Sequence, residues 1–269
     1  MPQKNNTPKN KKKPGAVSPP PKTRRLAKAI ADAGVCSRRE AERLIDAGQV
    51  TLGGETQTSP AINVTHTDNV TVNGRPLNLT PKTLRIFAYH KPAGIICSNH
   101  SEPEDPHGRP TLFSTLPKNT PRLVLVGRLD LNSEGLLLLT NNGDFAGKLM
   151  HPRYALARTY KARFRGELTS DIRAEMAKGP EIEGVKYRHV DVTLLEQSGR
   201  SGANQWAEVT LHEGKNREIR KVFEHFGLQV NRLIRTAYGG MTLGDLPPKG
   251  LRELTPEEVE TLQKLVKEA

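Results

Sequence analysis

Cysteine is nearly missing: Cys36 and Cys97 are the only two in 269 residues. They lie far apart and neither has a partner at metal-ligand spacing, which excludes a disulfide framework and points to a reducing compartment, the cytoplasm. Aromatic residues make up only 4% of the chain, so a core must be built mainly from Leu, Val, Ile and Ala. Long apolar runs are missing too. The run Leu136 to Leu139 falls far short of the roughly 20 residues a membrane helix needs. The basic N-terminus has no apolar segment behind it and does not read as a secretory signal. Acidic residues are in short supply, 29 against 41 Lys and Arg, for a formal net charge of +12. That excess, clustered rather than spread, calls for a polyanionic partner. The histidines fall at no zinc spacing, so no metal site is expected.

Residues 1–22 are rich in Lys, Asn and Pro and contain no acidic residue. Such a segment cannot bury enough apolar surface to order itself, and it reads as a disordered basic tail. A first domain is expected over residues 23–83. Leu26, Ala27, Ile30 and Ala33 recur at helical spacing before Gly34. Ser37-Arg38-Arg39-Glu40 has the pattern of a capping box and opens a second helix. Val50 to Leu52 and Val70 to Val72 read as strands, the latter leading into the turn pair Asn73-Gly74. The result is a small α-α-β unit. Arg24, Arg25, Lys28, Arg38, Arg39 and Arg43 crowd into its two helices and are the candidate RNA-binding residues. The stretch RLAKAIADAGVCSRREAERLIDAGQVTLGGE, followed by NVTVNGRPL, resembles the S4-type RNA-binding domain first described in a ribosomal protein.

A second domain is expected over 84–254, with a C-terminal helix at 255–269. Arg85 to Tyr89 reads as a strand, His90 to Gly94 as a turn, and Ile95-Ile96 as a resumed strand. Residues 98–110 read as a long loop. Leu123 to Val126 and Leu136 to Leu139 read as buried strands, with Gly127-Arg128-Leu129-Asp130 and a turn at Asn132 to Gly135 between them. A charged Arg-x-Asp set between buried strands is costly unless paired or used. It is either a structural ion pair or a catalytic carboxylate at the mouth of a sheet. Thr169 to Lys178 reads as a helix. In ARTYKARFRG, Tyr160, Ala162 and Phe164 alternate with Lys161, Arg163 and Arg165, a strand with one apolar and one basic face. In EGKNREIRKVFEHFG, Ile219, Val222, Phe223 and Phe226 form the buried stripe of a helix ended by Gly227. Arg217 and Lys221 point away from that stripe and Arg220 lies at its border. Glu134 and Asp144 read as turn and cap residues.

GRLDLNSEGLLLLTNNGDFAGKLMHP resembles the signature of RNA pseudouridine synthases of the ribosomal small-subunit type. HKPAGIIC, GRPTLFSTLP, ARTYKARFRG, EGKNREIRKVFEHFG and RLIRTAYGGMTLGDLPPKGLREL follow the same family in order, most like the large-subunit synthases of B type. The resemblance implies an α/β (α+β) catalytic domain with a central, mostly antiparallel mixed sheet flanked by helices. It implies isomerisation of a uridine in ribosomal RNA, of the large subunit in particular, by a cytoplasmic monomer without metal, nicotinamide or other cofactor. Asp130 is then the catalytic carboxylate. Tyr160 stacks on the uracil, Arg220 is the basic partner of Asp130, and Ile219 packs below the tyrosine. Arg128, Lys215 and Arg217 are assigned to substrate binding. The competing readings are a non-catalytic RNA-binding protein on the same scaffold and a phosphoesterase. The first would be expected to lose Asp130, Tyr160 or Arg220, and all three are present. The second needs a cluster of acidic or histidine metal ligands.

Overall fold

The structure, a computed structural model, describes residues 23–98, 107–195 and 204–267. The basic tail and most of the long loop after Ser98 lie outside the described residues. The chain forms two compact units that meet in sequence at Pro81 and Lys82.

The first unit contains β1 (Arg24–Arg25), α1 (Leu26–Asp32), α2 (Arg38–Asp46), β2 (Val50–Leu52), β3 (Glu55–Gln57), β4 (Asn63–Val64), β5 (Val70–Val72) and β6 (Arg75–Pro76). Ser37 caps α2 by accepting from the Glu40 N–H. Leu26, Ile30, Ala41 and Ile45 from the two helices pack on Val50 and Val70 of a four-stranded sheet ordered β3-β2-β5-β6. Asn73 and Gly74 both take positive φ, the backbone that a two-residue hairpin turn requires.

The second unit contains β7 (Ile86–Lys91), β8 (Val124–Val126), β9 (Ser133–Thr140), α3 (Gly143–Met150), β10 (Arg158–Arg165), α4 (Ser170–Lys178), β11 (Glu181–Ile182), β12 (Val185–Lys186) and β13 (Val190–Leu194). It continues with β14 (Gln205–Leu211), α5 (Glu218–His225), β15 (Gln229–Tyr238), β16 (Met241–Thr242), β17 (Leu251–Glu253) and α6 (Pro256–Leu265). Nine strands form one mixed sheet along β13-β14-β10-β15-β9-β7-β17, with β16 on β15 and β8 on β9. Its pairings are antiparallel except β9 with β15. The central strands are buried on both faces. Tyr89, Leu137 and Leu139 join the core beneath α5, while Ala88, Leu136 and Leu138 join the core beneath α3 and α6. The sequence pattern of α5 places Ile219, Val222 and Phe223 inward, and Phe223 meets Phe164 edge-on at 5.3 Å. Thr255 and Glu258 form a capping box for α6, which buries Leu262 in the second core.

Three local expectations change. Ile95 and Ile96 form no strand; Ile96 makes only an isolated bridge to Thr111. His90 and Lys91, read as a turn, belong to β7, because β9 and β17 pair with that strand on both sides. Of the expected turn at Asn132 to Gly135, Asn132 is in a turn but Ser133 to Gly135 already belong to β9. Gly135 there has φ +104° and lies opposite Arg235 of β15; a Cβ at 135 would fall 2.2 Å from the Arg235 carbonyl oxygen. Glycine is required because the two backbones touch.

Candidate active site

β8 ends at Gly127, whose positive φ turns the chain out of the sheet. Leu129 is buried and its N–H approaches the Cys97 sulfur at 3.4 Å, which anchors the loop from below. Ser133 N–H returns to the Asp130 carbonyl at 3.0 Å and β9 begins. The loop is gripped from inside the sheet. Lys91 is fully buried, and its ammonium donates to the carbonyls of Pro92 at 3.0 Å, Asp130 at 3.1 Å, Leu131 at 3.2 Å and Ser133 at 2.8 Å. Burial lowers the Lys91 pKa from its ordinary value, and the fields of Cys97, Asp130 and Glu134 oppose that shift. Four carbonyl dipoles stand in for the water the ammonium has lost.

Above this loop opens a cleft of about 390 Å³, within the range of about 300–1,000 Å³ usual for ligand sites. It gathers Arg128 and Asp130 from the loop, Tyr160 from β10, and Lys215, Arg217 and Ile219 from the start of α5. Six of the expected site residues thus share one cavity, although they come from segments far apart in sequence. Tyr160 is buried among Ile219, Leu129 and Leu233, and its hydroxyl makes no hydrogen bond among the described residues. Arg128 and Arg217 are exposed at the rim. Arg217 caps α5 with φ +52°, a left-handed backbone held at the edge of the cleft.

Arg220 behaves differently. It does not line the cleft. Its guanidinium donates to the Val230 carbonyl at 2.8 Å and the Asn132 carbonyl at 3.3 Å, so it fastens α5 to the end of the loop that carries Asp130. No ion pair joins it to Asp130 in this structure. The two still interact through space: burial and the Arg217 charge lower the Arg220 pKa, and the Asp130 charge raises it.

Several residues that the sequence did not single out complete the site. Arg158 and Arg235 are buried in the cleft wall beside Tyr238. Glu218 is buried at the first turn of α5 and accepts from the Lys215 N–H at 2.9 Å. Burial, with help from the nearby Glu213 carboxylate, pushes Glu218 up to about 7 against the opposing Lys215 hydrogen bond. Burial also acts to raise Glu213, but hydrogen bonds from Lys215 and the Arg188 N–H outweigh it and hold that pKa low. The Lys215 ammonium is tied to Glu213 and to the Lys186 carbonyl. Strand alternation could have exposed Arg158, which shares the inward face with Tyr160, and Arg235, which shares it with Leu233.

In the first unit, most expected RNA-binding residues have acidic neighbours. Arg24 and Lys28 share Asp32, Arg38 pairs with Glu42, and Arg43 pairs with Glu40. Arg25 donates to the Ala61 carbonyl. Arg39 is exposed and forms no ion pair among the described residues. Surface pairs of this kind are worth about 0–1 kcal/mol each, so phosphates can displace the carboxylates.

The chain matches the RNA pseudouridylate synthase family over residues 85–225 and the S4 domain over residues 24–70. An uncharacterized RNA pseudouridine synthase of Rickettsia prowazekii (strain Madrid E) is 45% identical over 236 residues, covering 88% of this chain and 96% of that protein. The ribosomal large subunit pseudouridine synthase B of Yersinia pestis is 38% identical over 260 residues, covering 90% of this chain and 79% of that protein. A crystal structure of a pseudouridylate synthase shares the fold, with a TM-score of 0.61 at 24% identity, covering 88% of this chain and 99% of that one. The chain belongs to the RNA pseudouridine synthase family, with an S4 domain ahead of its catalytic domain.

Proposed function

We propose that this enzyme isomerises a specific uridine in large-subunit ribosomal RNA, with Asp130 as the catalytic carboxylate. The observation that carries the reading is the cleft itself, which sets Asp130, Tyr160 and Ile219 around one ligand-sized space. The target nucleotide leaves its stack and enters that space at an unstacking cost. Asp130 either adds to the ribose or removes its proton to give a glycal; in both routes the bond from sugar to base nitrogen breaks, the base turns, and a bond to carbon forms. Both need an ionised carboxylate. Lys91 fixes the backbone of Asp130, and Arg220 acts on it through the field and through Asn132 rather than by contact. Tyr160 offers a ring face to the uracil and an uncommitted hydroxyl for proton movement. Arg128, Lys215 and Arg217 line the mouth where phosphates pass. The S4 domain supplies sequence-independent grip through its basic helices. The similarity to the large-subunit synthase of Yersinia pestis supports the choice of the large subunit.

The test is a pseudouridine map of ribosomal RNA from cells with and without the gene, complemented by wild type or by Asp130→Asn. The expected result is loss of one large-subunit pseudouridine, restored by wild type alone. An unchanged large-subunit map overturns the choice of substrate, and restoration by Asp130→Asn overturns the role of Asp130.

A further inference from the structure

The wall of the cleft contains a charge anomaly. Arg158 is 9% exposed and Arg235 2% exposed, and both line the cavity. Arg158 donates to the Leu156 carbonyl at 3.2 Å and the Tyr238 hydroxyl at 3.3 Å. Arg235 donates through Nε to the Leu136 carbonyl at 2.7 Å, while its Nη2 is shut from solvent without a hydrogen-bond partner. Both guanidiniums flank the Tyr238 ring, at 5.0 Å and 5.2 Å from its centroid. Neither has an ion pair among the described residues. Burial and the field of Tyr160 raise the Tyr238 phenol, although the two arginines oppose this. Tyr238 therefore stays neutral near pH 7 and supplies no counter-charge. Of the carboxyl groups lining the cleft, Glu213 and Glu218 are engaged by Lys215, and Asp130 makes no ion pair with either arginine among the described residues.

Two buried, uncompensated guanidiniums are costly unless a ligand supplies the missing charge. A uracil carbonyl could satisfy a donor but not the charge. A phosphate does both, and its geometry suits the planar fork of arginine. The wall is also open where it needs to be. Gly214 lies over Arg158, and a Cβ at that position would stand 3.5 Å from the guanidinium carbon. Without a side chain there, nothing at position 214 beyond the main chain stands over the guanidinium.

We propose that Arg158 and Arg235 form a phosphodiester-binding site in the cleft wall that takes a phosphate flanking the flipped nucleotide. The site thereby couples base flipping to charge compensation: the nucleotide that enters brings an anion into contact with two guanidiniums that have no ion pair among the described residues. This rests on the reading that an RNA nucleotide enters the cleft, but not on which RNA supplies it.

The test compares binding of uridine, uridine 5′-monophosphate and uridine 3′-monophosphate to the full-length protein by calorimetry or by arginine side-chain NMR. At least one monophosphate should bind about tenfold or more tightly than uridine. That advantage should shrink to less than about threefold in Arg158→Gln and Arg235→Gln whose circular dichroism is unchanged. Gly214→Val keeps both charges and both hydrogen-bond networks while covering Arg158, and it should lose the same advantage if the arginine variants do not fold. A second arm uses the RNA containing the mapped uridine, with a neutral methylphosphonate on one side of that uridine or the other; one of the two should weaken wild-type binding. Monophosphates no tighter than uridine, or an advantage that survives in every folded variant, would overturn the proposal. Because the mononucleotide arm needs no ribosomal substrate, its failure is separable from failure of the ribosomal assignment.

Discussion

Lys91 Nζ donates to the carbonyl oxygen of Asp130 at 3.1 Å from inside the sheet, while Asp130 itself lines the cleft on the other side. The carboxylate proposed for the chemistry is therefore positioned by its own main chain. A buried cation holds the loop by three of its carbonyls, and the Asp130 side chain makes no hydrogen bond or ion pair among the described residues.

Lys91→Met removes this clamp and leaves buried carbonyls without a donor. An unsatisfied buried group costs about 1–3 kcal/mol, so a loss of about 3 kcal/mol is expected in urea unfolding. Turnover should fall at least about tenfold in protein that is still folded, because Asp130 loses its register. Full activity in folded Lys91→Met would show that the loop holds its shape without the clamp.

Asp130→Asn keeps the volume and removes the charge. The melting temperature and RNA affinity should stay close to wild type. Single-turnover rates should drop by about a thousandfold, or about 4 kcal/mol of barrier. A rate above about a tenth of wild type would take Asp130 out of the chemistry.

Glu218 gives the protein a stability that depends on pH. Its folded pKa of about 7 lies above the ordinary 4.5. Below the ordinary value the carboxyl is protonated in folded and unfolded chains alike. As pH rises the unfolded chain releases its proton first, so stability falls across the window from the ordinary value up to about 7. Glu218→Gln cannot ionise and keeps an oxygen for the Lys215 N–H. Its melting temperature should exceed that of wild type at pH 8 by more than it does at pH 5. Parallel melting curves across that range would show that Glu218 titrates normally.

Deleting residues 1–81 should weaken RNA binding and flatten its dependence on salt, while single-turnover chemistry at saturating RNA changes much less. The cut is placed at Pro81 because Thr83 already belongs to the second unit, where its carbonyl accepts from Asn141 at 2.8 Å. The slope of log affinity against log salt counts displaced phosphate counter-ions. Equal slopes for intact and truncated protein would mean that the basic helices do not hold RNA.

Much of this was legible in the sequence because the signals were local. Ser37, Thr169 and Gly227 mark helix ends, and the Tyr160-Ala162-Phe164 alternation marks a strand and its inward face. The loop that brings Asp130 to the cleft lies within a long contiguous motif. What escaped depends on neighbours remote in sequence. His90 and Lys91 carry the residues of a turn, yet β9 pairs with both and draws them into the sheet. Lys91, placed in that turn by its neighbours in sequence, is instead enclosed by four carbonyls. Arg220 lies at the helix border as its spacing implies, but spacing alone could not tell that Val230 and Asn132 would receive its donors. Arg158 and Arg235 sit at inward positions of their strands, but what they meet there, the Tyr238 ring and the cleft, comes from segments remote in sequence.

The touch between Gly135 and Arg235 also sets an order of events during synthesis. A chain emerging from the ribosome exposes its S4 domain first, and that unit has its own core. The cleft cannot close until β15 has been made and has docked beside β9, a pairing of distant segments that is slow to form. The nascent protein can therefore grip RNA well before it can modify any.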